Sequence, residues 1–385
     1  MKQDNKNFTK IQLRSSAIKR DKVVLALGAE LKANFCIIYK GTAFLSFGYN
    51  DLKNPLFYEK YKKSLYKQLK KIPAKPQVIA HDLNPLFLST RLAHELKEKS
   101  LGSSRITAVG HHYAHVGAAL ASLNILNKDV IGISCDGTGL GVDGKVWGGE
   151  FITYKKGKYE RVGHLNDFAL PGADKAVLEP WRVGVALLYK VYGRELLSLK
   201  LPWIKKKTYT INILIKMIEQ KVNSPLATSA GRLFDGISGI CGLCDKIEYE
   251  AQGAIALQKQ AEQAKAGQKT AYEFSVKKED GFFVINTDAM IRAIVDDLVK
   301  KKSIAEIAAR FHYTFSQMLI AMCVKIRKRD KINAVTFSGG VFFNDIILKQ
   351  ATEGLMKNKF TVYKPRQVFL GDTGLSLGQA VIAAK

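Results

Sequence analysis

The chain has 385 residues, 47% hydrophobic and 10% aromatic, which supplies a sizeable core and excludes a disordered protein. Its formal charge of +26 is mostly lysine spread thinly, without clusters of arginine and aromatic residues, which disfavours a nucleic-acid surface and fits an acidic protein partner or simple lysine bias. No apolar run reaches the roughly 18 residues that span a bilayer, residues 1–7 are too polar for a signal peptide, and five cysteines, an odd number without framework spacing, fit a reducing, cytoplasmic compartment.

In chain order, residues 1–21 read as a basic extension or linker remnant. Strands are expected over residues 23–27, 35–39 and 42–47, with Gly28 to Asn34 as the first turn. A lysine-rich helix over 57–69, closed by Pro73 and Pro76, precedes a short strand at 78–80, a helix over 86–97 and a strand at 106–109. His111 and His115 then open a helix. One turn apart, they project two imidazoles from one face, half of a metal site. The strand at 130–135 delivers Asp136, a carboxylate able to complete the pair, into the glycine-rich turn Gly137-Thr138-Gly139-Leu140-Gly141. That turn is expected to open a hairpin, its backbone amides forming a concave anion site.

Strands follow at 147–154 and 159–165, then helices at 175–192, 209–222, 230–239 and 250–264. A strand at 282–285, a long helix at 304–327, a strand at 334–337 running into Gly339 and Gly340, and a last helix from near residue 374 complete the chain. Gly339 and Gly340 would let the backbone approach phosphate or ribose, with Asn344 touching the same nucleotide. The recurring strand–turn–strand–strand unit predicts an α/β protein of two related mixed-sheet lobes, 22–128 and 129–385, with the last helix packing back on the first lobe. The single pair Cys241-Gly242-Leu243-Cys244 lacks the second pair of a zinc ribbon and reads as packing.

Ten motifs occur in one order: Ala26-Leu27-Gly28-Ala29-Glu30-Leu31-Lys32, His81-Asp82-Leu83, His111-His112-x-Ala114-His115, Asp136-Gly137-Thr138-Gly139, Trp147-Gly148-Gly149-Glu150-Phe151, Leu178-Glu179-Pro180-Trp181-Arg182, Thr228-Ser229-Ala230-Gly231-Arg232-Leu233-Phe234-Asp235, Tyr249-Glu250-x-Gln252, Ser338-Gly339-Gly340-Val341-Phe342 and Gly371-Asp372-x-Gly374-Leu375-Ser376-Leu377-Gly378-Gln379. In these motifs the chain, over residues 22–385, resembles the C-terminal domain of the HypF carbamoyltransferases of nickel–iron hydrogenase maturation. The resemblance implies a bilobal actin-like ATPase fold with nucleotide and metal in the cleft between the lobes. It implies a divalent metal, iron or zinc, on His111, His115, Asp136 and Asp372, although Asp372 also reads as a helix cap. ATP or carbamoyl-adenylate would be the nucleotide, its ribose held by Asp235 and Glu250, which read equally as solvated helix carboxylates.

The implied reaction moves a carbamoyl group to a C-terminal cysteine of a HypE-like partner. Lys32 would balance phosphate charge or simply sit at the surface. Glu179 and Arg182 read equally as an ion pair and as the lining of the acceptor groove. Departures from the pattern are Tyr113, Asn84, Phe343 and Thr373, of which Phe343 bears on a contact near the nucleotide. The family's acylphosphatase-like, zinc-binding and YrdC-like modules have no counterpart in these residues, so two readings stand: a separate N-terminal-half HypF subunit supplies the carbamoyl-adenylate, or the chain is a fragment. Other readings are an O-carbamoyltransferase or tRNA threonylcarbamoyl-transfer relative on the same fold, and a non-catalytic nucleotide-binding scaffold.

Overall fold

Apolar runs with a two-residue alternation make the sheets, as the computed structural model shows; it describes residues 8–15, 18–264 and 270–385. The first sheet comprises β1 (Phe8–Gln12), β2 (Val24–Ala26), β3 (Cys36–Tyr39), β4 (Thr42–Ser46), β5 (Val78–Asp82) and β6 (Arg105–Val109). Their order is β1-β4-β3-β2-β5-β6, antiparallel as far as β2 and parallel from β2 through β5 to β6. Parallel neighbours need crossovers, supplied by α1 (Pro55–Leu69) and α2 (Leu88–Lys99). Strand β1 lies inside the segment read as an extension: Phe8 packs on Phe35, ring centres 5.8 Å apart, and binds that stretch into the sheet edge.

After α3 (His111–Ser122) come β7 (Val130–Leu140), β8 (Val146–Lys155), β9 (Lys158–Leu165) and β10 (Phe168–Ala169). Then follow α4 (Asp174–Leu178), α5 (Pro180–Tyr192), α6 (Pro202–Glu219), β11 (Leu226–Ala227), α7 (Ala230–Ile240) and α8 (Gln252–Glu262). The rest is β12 (Ser275–Glu279), β13 (Phe282–Asn286), α9 (Asp288–Val299), α10 (Ile304–Asp330), β14 (Ala334–Ser338), α11 (Asp345–Lys357), β15 (Thr361–Tyr363) and α12 (Leu375–Ala383). The second sheet runs β12-β13-β9-β8-β7-β14-β15.

The two sheets sandwich a helical layer. Val24 and Ala26 face α3 and α12, whereas Val23, Leu25 and Leu27 face Tyr61 and Leu65 of α1 and Leu92 of α2. Val130 of β7 joins the middle core, while Ile131 and Ile133 face α5, α7 and α10. In the middle layer α12 crosses α3 through glycines: a Cβ on Gly378 would lie 1.8 Å from the Ala114 carbonyl oxygen. Gln379 adds a two-way clasp to Gly28, accepting its N–H at 2.8 Å and donating to its carbonyl at 3.1 Å. The close crossing sets the turn before α12 over the start of α3.

Three differences from the sequence reading have local causes. The helix expected over 175–192 breaks at Glu179 (φ −124°, ψ 82°), because Pro180 has no N–H to continue α4 and instead starts α5. Helix α6 begins at Pro202 rather than at residue 209, since a first-turn proline is tolerated where the N–H would be unpaired. The Gly137–Gly141 stretch is no free hairpin turn: β7 runs on to Leu140 across an irregularity between Cys135 and Gly139, and Gly139 pairs with Trp147. No helix among the described residues is long and apolar enough to cross a membrane.

Candidate metal centre and nucleotide cleft

Carboxyl ends of neighbouring strands converge on one point, the usual place for a site in sheets with parallel strands. Strand β6 ends at Val109, and after Gly110 helix α3 starts at His111, which puts His111 and His115 on one face with ring centres 5.0 Å apart. Strand β5, beside β6, ends at Asp82, which is fully buried. Asp82 Oδ2 accepts the His111 Nδ1–H bond at 2.8 Å. That bond fixes the tautomer and turns Nε2 towards the cleft.

Facing these rings, the irregularity in β7 swings out Asp136. Its Oδ2 lies 3.1 Å from His115 Nε2 and 3.7 Å from His111 Nε2. Its Oδ1 accepts the Gly340 N–H at 2.9 Å, so the start of the turn after β14 holds the carboxylate in place. Asp372, in the turn before α12, brings Oδ1 to 3.5 Å from His115 Nε2 and 3.8 Å from His111 Nε2. All four donor atoms lie within 4.8 Å of one another.

The donor set fits one cation. Four ligands about 2.1 Å from a tetrahedral ion stand about 3.4 Å apart, and separations of 3.1, 3.5, 3.7 and 3.8 Å bracket that value. His111 Nε2 is buried with no hydrogen-bond partner, an expensive condition unless something else meets it. The electrostatics agree. Burial disfavours the His111 imidazolium, but Asp82, Asp136 and Asp372 overcome it and hold the pKa well above the ordinary value. Burial likewise opposes the Asp136 carboxylate, yet His111 and His115 hold its pKa well below the usual range. Positive charge is wanted here, whether protons or a metal carry it. His112 is left outside: burial, then the neighbouring His111 and His115, push its pKa well down, and its ring lies 6.0 Å from that of Trp147.

The expected nucleotide residues divide. Gly137 and Thr138 lie open beside Asp136, while Gly139 is pressed on the imidazoles, where a Cβ would meet His112 at 2.6 Å and His111 at 2.7 Å. Gly339 has φ 95°, and a Cβ there would fall 2.1 Å from the Cys135 carbonyl oxygen, so only glycine lets the chain turn into Gly340 at this point. Lys32 Nζ reaches Glu250 at 2.9 Å. Burial lowers the Lys32 pKa, but Glu250, Asp372 and Asp136 outweigh it, so the net shift is upward. Asp235 is buried, with Oδ2 2.9 Å from Arg232 Nη1.

Asn344 has a part in the fold as well. Its Oδ1 caps α11 by accepting the Ile347 N–H at 3.2 Å, and its Nδ2 donates to His312 at 3.0 Å, which leaves the amide one further donor and one further acceptor position. The pair left open by the sequence is an ion pair: Arg182 Nε donates to Glu179 Oε2 at 2.5 Å. The break at Pro180 brings these two together, and the guanidinium lies over the Trp181 ring. Phe343 is half exposed, its ring beside Gly371. Asp82 and Ser229 were missed as site-builders. Ser229 caps α7 and its hydroxyl also lies 3.0 Å from the Asp136 carbonyl, pinning the bulge.

Residues 19–122 match the family described as the HypF Kae1-like domain, and residues 132–379 match the second subdomain of the carbamoyltransferase Kae1-like domain. The chain belongs to the HypF carbamoyltransferase family. It is 32% identical over 370 residues to the carbamoyltransferase HypF homolog of Cupriavidus necator, covering 94% of this chain and 91% of that one. Against the probable carbamoyltransferase HypF of Methanocaldococcus jannaschii it is 31% identical over 372 residues, 94% of this chain but only 46% of the relative. Among solved structures, full-length HypF in its phosphate- and nucleotide-bound form superposes with a TM-score of 0.87 at 31% identity, covering 98% of this chain and 57% of that one. HypF of T. kodakarensis gives 0.85 at 26% identity, covering 95% and 48%. The mixed sheets around a helical layer are thus the actin-like ATPase fold of HypF Kae1-like domains.

Proposed function

We propose that this chain transfers a carbamoyl group from carbamoyl-adenylate to the C-terminal cysteine thiol of a HypE-like partner, in the assembly of the cyanide ligands of nickel–iron hydrogenase. The observation that carries the reading is the convergence of His111, His115, Asp136 and Asp372 beside a glycine-rich turn. Iron or zinc suits this mixed nitrogen and oxygen set, and when bound would act as a Lewis acid beside the phosphate.

The chain's own residues do the rest. The backbone amide of Gly137 and the Thr138 hydroxyl would donate to phosphate oxygens, while Gly139, paired with Trp147 and pressed on the imidazoles, shapes the turn, and Gly339 and Gly340 would let the main chain approach phosphate or ribose on the other side. Lys32, which feels the charge of Asp372 and Asp136, would counter the charge of the departing AMP. Asp235 and Glu250 would face the ribose, with the nucleotide lying between lobes 22–128 and 129–385. The partner's thiolate sulfur forms the new bond to the carbamoyl carbon, the bond from that carbon to the phosphate oxygen breaks, and AMP leaves with the electron pair. The thiol proton passes to solvent. No nucleophile is asked of this chain: its buried Cys36, Cys135 and Cys323 have thiol pKa values pushed far up by burial.

Mass spectrometry of the partner after incubation with this chain and carbamoyl-AMP is the test. A carbamoyl adduct on the C-terminal cysteine is expected. An unmodified cysteine, with the partner folded and the chain loaded with metal, would end the S-transfer reading.

A further inference from the structure

Arg232 has no assigned part in the site, yet it is placed as if built for one. It stands in the first turn of α7 and is 8% exposed. Its Nε and Nη1 are sealed from solvent and find no hydrogen-bond acceptor. Asp235, one turn on, has Oδ2 2.9 Å from Nη1 but off the N–H direction, so it balances the charge while leaving the donors unused. A guanidinium left in that state costs free energy, and Nη2 is the nitrogen it still has to offer a ligand.

The direction of the side chain says what the ligand is. Nη2 lies over Gly137, where a Cβ would come within 3.3 Å of it, and Gly137 is partly open to the cleft. The start of α7 presses on the same turn: a Cβ on Gly231 would sit 2.8 Å from Gly137 Cα. Ser229 holds the join, its hydroxyl shared between the carbonyls of Asp136 and Gly137 while accepting the Arg232 N–H at 3.1 Å. A helix of 11 residues therefore aims its positive end and a planar cation at one glycine turn, one residue beyond Asp136.

We propose that Arg232 holds the phosphate of the adenylate against the Gly137 turn, an assignment that rests on the nucleotide reading above. Nη2 carries two N–H donors and shares a charge that cannot be lost by deprotonation, which suits a phosphate. The same contact would stabilise the phosphate of AMP as the carbamoyl group departs.

Calorimetric titration of the metal-loaded chain with AMP and with adenosine isolates the phosphate. Arg232→Gln lowers AMP affinity relative to adenosine affinity about 10- to 100-fold, the range for losing hydrogen bonds to a charged group. Removing the arginine strands the buried Asp235 carboxylate, so Arg232→Gln with Asp235→Asn is the companion variant, read through the ratio of AMP to adenosine affinity. Any effect of Asp235 on the ribose is common to both ligands and cancels, so the ratio falls by the same factor. An unchanged ratio in a variant with native circular dichroism and metal content overturns the role of Arg232 and leaves the nucleotide reading standing. A wild-type chain that binds neither AMP nor adenosine overturns both.

Discussion

His312 in α10 and the His111–His115 pair in α3 are equally sealed from solvent, and their surroundings push them in opposite directions. His312 is closed by neutral partners: Nδ1–H donates to the Ala308 carbonyl at 2.7 Å and Nε2 accepts from Asn344 at 3.0 Å, with Phe234 edge-on to the ring. Burial drives its pKa down to about 4, which the backbone bond only partly resists. The α3 pair meets three carboxylates, ends with its pKa values raised, and leaves His111 Nε2 unmet. A buried histidine that its neighbours satisfy is packing. Two that converge on carboxylates with an unused nitrogen are asking for a cation.

Breaking the open side of this comparison should have the largest effect. His115→Ala or Asp372→Asn is expected to lower the rate of carbamoyl-adduct formation about a thousandfold or more, by removing the charge stabilisation of the site. The fold should survive, seen as an unchanged circular dichroism spectrum. A variant that keeps its rate would take these residues out of the chemistry.

The closed side should show up as a pH effect on stability. His312 has a folded-state pKa of about 4 against an ordinary 6.5, so on acidification the unfolded chain takes up the proton first. Its contribution, of order 3 kcal/mol, is complete above pH 6.5 and is lost as the pH falls towards 4. Urea unfolding of the wild type and of His312→Gln across that window should show a steeper acid loss in the wild type. Parallel curves would mean that His312 is not held neutral.

A smaller change sharpens the role of Asp82. Asp82→Asn keeps the shape but weakens the bond that aims His111, and metal affinity should drop about 10- to 100-fold in chelator competition. The smallest effect belongs to the half-exposed Lys32–Glu250 pair. Glu250→Gln should shift unfolding stability by no more than about 1 kcal/mol, read from denaturant midpoints. A larger loss would make that contact a structural lock.

The quartet was legible because each member carried a local signal: an i, i+4 histidine pair after a strand, an aspartate leaving a strand into glycines, and the Gly371-Asp372 motif of the family pattern. Asp82 was quoted in a motif, but its bond to His111 spans 29 positions and exists only because β5 and β6 pair in parallel. Arg232 was hidden the same way, since its meaning comes from which turn α7 presses against. The cap made by Asn344 went unread because an amide after two glycines suits a ligand and a helix cap alike. Strand β12 and helix α9 escaped because Ser275–Glu279 is mostly charged and its pairing with β13 supplies what its own side chains do not.

Elemental analysis of the purified chain bears most directly on the cation claim. About one iron or zinc per chain should be present, and it should vanish in His115→Ala and Asp372→Asn while the fold is kept. A correctly folded wild-type chain that holds no metal and takes up neither ion on titration would contradict the site on which the proposed chemistry stands.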